Sequence, residues 1–311
     1  MVVYAKASDD AAAQVHLGAN FPLTLTLKSA TVDGKVWDEA SWETPGRHGT
    51  GWLVASAVTT IQPTGLANAG FDALDAALAE YMGDYKTRVG VELYDVTRGV
   101  TYTYNADRAY TVASSMKVPI MLTLLTQLEA RGRGPTAGEL SLLTTMIENS
   151  NNKSASALYA EIGYRTGVIA FMKKVGVAGL TPYVNPVGFW GWSTITPGAM
   201  VSLLALLNAG KILNATDRAL ALRLMEHVQL DQRVGVGDSS PVGATIALKD
   251  GWVEGPDDLY VMNSSGIVTL GAETYILAVY TVDDKSWNPE GFAIVRHICK
   301  VIGSHMVAPT T

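Results

Sequence analysis

Cysteine is nearly absent from the chain. A single one, Cys299, stands among 311 residues, which excludes an internal disulfide and any cysteine-rich metal site. Its neighbours Ile294, Val295, Ile298 and Ile302 recur at helical spacing, so an inert thiol inside the core is expected. Histidine is scarce as well. The five, His16, His48, His227, His297 and His305, lack the i, i+4 spacing that would bring two imidazoles to one ion, so no metal and no cofactor are expected. Basic charge is thin, with 23 Lys and Arg against 29 Asp and Glu, and a short cluster such as Arg131 and Arg133 cannot neutralise a run of phosphates. A nucleic-acid partner is thereby excluded. No stretch reaches the ~18 consecutive apolar residues of a spanning helix. The opening Met1-Val2-Val3-Tyr4 runs straight into polar residues and does not read as a signal peptide. It fits a mature region that has lost an export signal, with an extracellular or cell-envelope location as the expectation. Internal repeats and long low-complexity runs are also missing.

What is present is apolar material, 48% of the chain, enough for one large core and a small second module. Residues 1–63 have the texture of the small module. Leu23-Thr24-Leu25-Thr26-Leu27 alternates with period two, Asp33-Gly34 marks a turn, and Val36-Trp37 and Ala40-Ser41-Trp42 continue the strand pattern. Pro45-Gly46-Arg47-His48-Gly49 marks another turn before Thr50-Gly51-Trp52-Leu53-Val54. Short strands joined by tight turns predict a small all-β barrel. Its spaced tryptophans resemble those of a bacterial SH3-like domain, where such aromatics line a peptide groove.

After the linker Gln62-Pro63-Thr64-Gly65, the apolar residues Phe71, Leu74, Leu78 and Tyr81 predict a helix. Strands are expected over 89–96 and 100–104, a mostly helical block over 114–228, strands again near 245–253, 259–268 and 275–281, and a last helix over 289–302. Strands and flanking helices at both ends, with a helical block between them, predict an α+β architecture. This is an antiparallel sheet flanked by helices plus an all-helical subdomain, spanning 66–306. The cleft between those two parts is the natural place for a site.

Chemistry concentrates in three segments. Ala113-Ser114-Ser115-Met116-Lys117 opens an apolar helix, and a spacing of three puts the Ser114 hydroxyl and the Lys117 amine on one helix face. Positive charge at a helix N-terminus favours a neutral amine there, and a neutral amine beside a hydroxyl makes a base and nucleophile pair. Ser150-Asn151-Asn152 lies between two helical stretches, where Ser and Asn also serve as helix caps. Lys249-Asp250-Gly251-Trp252 lies on a strand.

In this order the segments resemble the three motifs of the serine β-lactamase and penicillin-binding protein superfamily, Ser-x-x-Lys, Ser-Asp-Asn and Lys-Thr-Gly. Thr194-Ile195-Thr196-Pro197-Gly198-Ala199-Met200 is similar to a helix start of the class A branch. The resemblance implies a β-lactamase/transpeptidase-like fold and a role for each matching residue. Ser114 would be the nucleophile, Lys117 its proton acceptor, and Ser150 a proton relay assisted by Lys249. Asn152 would hold the substrate amide and orient Lys117. The backbone N–H groups of Ser114 and Trp252 would form the oxyanion hole, with Gly251 beside the substrate. Apart from the resemblance, Trp190 and Trp192 are expected either to wall the cleft, with Trp190 beside the substrate, or to pack their own loop.

Departures from the pattern qualify the expected activity. Asn151 replaces an aspartate with an isostere. Asp250 stands where a hydroxyl would bind the substrate carboxylate, so weaker binding of carboxylate-bearing β-lactams is expected unless strand alternation turns Asp250 away. Residues 177–192 contain no acidic residue, whereas class A enzymes place there the glutamate that activates the deacylating water. The expectation is a monomeric serine hydrolase that acylates readily and releases slowly, acting on a small-molecule β-lactam or a peptidoglycan peptide. A cell-wall D,D-peptidase or esterase is the alternative, and a non-catalytic wall-binding protein on the same fold is the alternative of another kind.

Overall fold

A computed structural model describes residues 2–16, 24–44, 47–54, 70–184, 189–255 and 258–306. The chain divides into two compact units, Met1–Thr64 and Gly65–Thr311.

The first unit is a five-stranded antiparallel sheet of β1 (Val2–Tyr4), β2 (Ala13–His16), β3 (Thr24–Val32), β4 (Lys35–Thr44) and β5 (Arg47–Val54). The strands run in the order β2-β1-β5-β4-β3. Asp33 and Gly34 both take positive φ, 50° and 74°, in the two-residue turn between β3 and β4. Such a turn matches the strand twist and accepts Asp-Gly because both positions need left-handed backbone. Trp37 is buried with Val3 and Leu53, and Tyr4 meets its ring edge-on at 5.5 Å, so this tryptophan packs the core of the sheet. Trp52 is half-buried. The Pro45-Gly46 turn and the 62–65 linker lie outside the described residues.

The second unit carries the α+β architecture expected of it. Its main sheet contains β6 (Val89–Asp95), β7 (Val100–Tyr104), β11 (Thr245–Glu254), β12 (Tyr260–Leu270) and β13 (Glu273–Thr281). The order is β11-β12-β13-β6-β7, antiparallel throughout, so β11 is an edge. Helices α1 (Asp72–Tyr85) and α8 (Phe292–Met306) cover one face. Leu74, Leu78, Ile294, Ile298 and Ile302 pack there on Val91, Leu93, Leu277 and Val279, and each fully buried side chain of this size contributes about 1.5–3 kcal/mol. Cys299 lies in the same core, and burial holds its thiol in the protonated form.

On the other side stands the helical block: α2 (Lys117–Ala130), α3 (Ala137–Glu148), α4 (Asn152–Glu161), α5 (Tyr164–Val175), α6 (Pro197–Asn208) and α7 (Ala215–Glu226). Its central member, α2, is buried all round from Val118 to Thr126. Pro119 is tolerated because first-turn N–H groups have no intrahelical partner. Local signals place the helix starts. Thr136 and Glu139 form a reciprocal capping box on α3, and Thr196 caps α6 by accepting from Ala199 N at 3.0 Å. A small sheet of β8 (Tyr110–Thr111), β9 (Leu180–Thr181) and β10 (Thr194–Ile195), in the order β8-β10-β9, has no counterpart in the sequence pattern. Two-residue strands are too short to show a period.

Candidate active site

Ser114 lies in a 3-10 turn, Ala113–Met116, that leads β8 into α2. The turn is tight enough to force Ala113 to φ 47°, a conformation that costs a non-glycine residue about 1 kcal/mol or more and persists only where neighbours hold it. Asn263 of β12 supplies much of that hold. Its side-chain amide donates to Val112 O at 3.1 Å and toward Thr111 O at 3.3 Å, and its Oδ1 accepts from the Ser115 hydroxyl. Val112 N donates to Ser193 O at 2.8 Å, tying the same turn to the 177–196 loop. Gly251 of β11 closes the other side, for a Cβ there would lie 2.7 Å from Ser114 N and 2.8 Å from Ser115 N. Ser114 itself is half-buried, so its hydroxyl is within reach of a ligand.

Four oxygens surround the buried amine of Lys117. Ser114 Oγ is 2.6 Å from Nζ, the main-chain oxygen of Ser150 2.8 Å, Ser150 Oγ 2.8 Å and Asn152 Oδ1 2.9 Å. Two of them, Ser150 O and Asn152 Oδ1, can only accept. A neutral amine has two N–H groups for those two oxygens and one lone pair left to receive a hydroxyl proton. Burial first, and then the positive charge of Lys249, lower the Lys117 pKa to about 6. The sequence points to the helix N-terminus as the reason for a neutral amine; burial is the larger cause. The ring of Trp190 covers the amine, its centroid 4.9 Å from Nζ.

The second motif reaches this point through a left-handed Ser150, φ 53°, at the start of α4. Asn151 caps the helix by accepting from Ser154 N at 3.0 Å. The capping expected of this junction thus falls to the middle residue, leaving Ser150 and Asn152 free to face Lys117. An Asn caps as well as an Asp, which accounts for the substitution.

In the third motif the period of two separates the residues. Lys249 and Gly251 face the turn that carries Ser114, with Lys249 fully buried, its Nζ donating to Asp250 O at 3.0 Å. Burial lowers its pKa while Asp250 opposes the shift. Asp250 points to the opposite face, where its carboxylate accepts from Val234 N and one oxygen, Oδ1, has no hydrogen-bond partner among the described residues. The expectation that Asp250 contacts substrate, or repels a substrate carboxylate, is therefore corrected: strand alternation buries it beneath the sheet, and desolvation raises its pKa. Trp252 is half-buried, edge-on to Phe292 at 5.3 Å, on the edge strand next to Gly251.

Trp190 is almost wholly buried against Lys117, held by a bond from its Nε1 to Ser156 Oγ of 3.1 Å. Sequence reasoning missed Asn263 and the contact of Trp190 with the amine. A signal for the first existed in Asn263-Ser264-Ser265, a polar run inside an otherwise apolar strand. No carboxylate is among the bonded neighbours of Lys117, and none occurs in 177–192. Among the described residues no group of three His, Cys, Asp or Glu side chains could hold a metal ion. No described helix is long and apolar enough to cross a membrane.

The profile of the β-lactamase enzyme family matches residues 73–137 and 135–306. No curated protein matches the chain in sequence. Solved structures with a similar fold include the TLA-1 extended-spectrum β-lactamase, at 20% identity and TM-score 0.70, covering 77% of this chain and 100% of that one. A β-lactamase from Chitinophaga pinensis shares 19% identity with TM-score 0.67, covering 75% and 99%. A mutant of PBP-A, in an acyl-enzyme complex with penicillin G, shares 19% identity with TM-score 0.65, covering 75% and 96%.

Proposed function

From the premise that the chain belongs to the β-lactamase enzyme family, we propose that it is a serine hydrolase that forms an acyl-enzyme through Ser114 on a β-lactam or similar amide carbonyl. One observation carries this reading: the Ser114 hydroxyl is 2.6 Å from a buried amine whose remaining partners leave its lone pair for a proton. Lys117 takes the proton as Ser114 Oγ adds to the carbonyl carbon. The developing oxyanion is received by the N–H groups of Ser114 and Trp252, the first at a helix start and the second on an edge strand. Ser150, 2.8 Å from Lys117 Nζ, passes the proton to the leaving nitrogen, and the nearby positive charge of Lys249 favours that transfer. With Asp250 turned away, Lys249 also remains to attract a substrate carboxylate.

Release of the acyl group is slow in this reading, because 177–192 holds no carboxylate to activate water. That absence also favours a second reading, a D,D-peptidase acting on peptidoglycan peptides, whose acyl-enzyme is passed to an acceptor rather than hydrolysed. An esterase would use the same groups. In either case a monomer at the cell envelope or outside the cell meets its substrate directly.

Mass spectrometry after incubation with a fluorescent penicillin, and separately with an activated ester, tests the assignment. A long-lived adduct on Ser114, lost in Ser114→Ala, is expected. Neither adduct nor turnover with both reagents would overturn it in favour of a non-catalytic wall-binding protein.

A further inference from the structure

Trp190 lies against the amine of Lys117. Around Lys117 Nζ, protein oxygens from Ser114, Ser150 and Asn152 take up the hydrogen-bonding directions, and the indole of Trp190 covers the remaining approach with its centroid 4.9 Å away. That indole is 2% exposed, anchored through Nε1 to Ser156 Oγ at 3.1 Å and backed by the Phe189 ring at 5.0 Å. Resting on the serine hydrolase reading above, we propose that Trp190 sets the lifetime of the acyl-enzyme by keeping water away from Lys117.

Hydrolysis of the ester requires one water to touch both the acyl carbonyl carbon and the base. The water oxygen bonds to that carbon while its proton passes to Lys117 Nζ. The carbon–Oγ bond then breaks, Ser114 Oγ recovers the proton from Lys117, and the acyl group leaves as the acid. With the indole in place water is kept from Nζ, so release of the ester is slow. The same ring helps the forward step, since its face stabilises the ammonium formed when Lys117 takes the Ser114 proton. Fast acylation and slow release thus have one structural source. If the indole is removed, the space left behind has polar partners on two sides, Lys117 Nζ and Ser156 Oγ, and a void with such partners fills with water.

The experiment compares the full chain with Trp190→Ala and Ser156→Ala, labelling each with fluorescent penicillin and following loss of label from Ser114 after excess reagent is removed. Trp190→Ala shortens the lifetime by ~100-fold, the lower end of what a general base contributes, while acylation slows. Ser156→Ala, which frees the indole without removing it, shortens the lifetime by less. In Trp190→Ala the release rate rises with pH as Lys117 loses its proton, a dependence that loosened packing alone does not produce. An unchanged lifetime in both variants with Ser114 still labelled overturns the role of Trp190 and leaves the serine hydrolase reading intact. Should Trp190→Ala fail to fold, an unchanged lifetime in Ser156→Ala overturns it. Absence of label in the unsubstituted protein overturns the serine hydrolase reading, and this inference with it.

Discussion

Gly251 and Ser114 approach each other so closely that a single added carbon on Gly251 would lie 2.7 Å from the Ser114 amide nitrogen. The edge strand therefore rests directly on the turn that holds Ser114, with backbone against backbone. Gly251→Ala forces β11 away from Ser114 and moves the Trp252 N–H relative to the Ser114 N–H. Losing a donor from such a pair costs about 100-fold or more, so the acylation rate of Gly251→Ala falls by that order. Stopped-flow labelling checks it, with circular dichroism to establish that the fold is retained.

Asn263 gives a second prediction. Replacing it by Ala removes two buried hydrogen bonds, leaving Val112 O with only Ser115 N and the Ser115 hydroxyl with only the longer contact to Lys249 O, at a cost of about 1–3 kcal/mol. Denaturant unfolding reads the stability. Because the turn that carries Ser114 loosens, the acylation rate constant falls more than the apparent affinity for the β-lactam.

The pH dependence of acylation follows from Lys117. Its pKa is lowered to about 6, and only the neutral amine accepts a proton, so the rate rises with pH through about 6 and levels above it. Lys117→Arg abolishes the rise and the activity together, since a guanidinium does not deprotonate in this range. The same group has a stability consequence of definite sign. Between about 6 and its ordinary 10.5, the folded state holds fewer protons on Lys117 than the unfolded state does, so this group makes stability increase with pH across that window. A rate that instead falls from pH 5 to 7 would contradict the assignment of the base.

Asp250 and Lys249 are coupled through the strand that carries both. The Asp250 charge raises the Lys249 pKa against the effect of burial, so Asp250→Asn lowers it. The alkaline limb of β-lactam acylation, where Lys249 loses its charge, moves to lower pH in this variant. Rates measured well below that limb stay as they are, because the Asp250 side chain lies on the far face of the sheet.

Much of the architecture is legible in the sequence. Residues with local meaning declared themselves: Asp33-Gly34 as a turn, Thr196-Pro197 as a helix start, and the strands expected over 89–96 and 275–281, found at Val89–Asp95 and Glu273–Thr281. Ser114 and Lys117 share a helix face by spacing alone. The small sheet that ties 177–196 to the turn of Ser114 was not legible, since its strands are two residues long and are defined only by their partners.

The limits of sequence are clearest around Lys117. Spacing by itself determined that the amine lies beside Ser114, because three residues make almost one helical turn. Its protonation state was decided by tertiary structure: desolvation under Trp190 and the charge of Lys249 arrive from segments far along the chain, and both depend on distance through space. The same holds for the hold on the turn of Ser114, where Asn263 reaches Ser115 from a strand 148 residues away. Asp250 shows the two levels meeting. Period two dictates that it and Lys249 face opposite ways, but only the packing of α8 on one face of the sheet and the helical block on the other decides which of them meets Ser114.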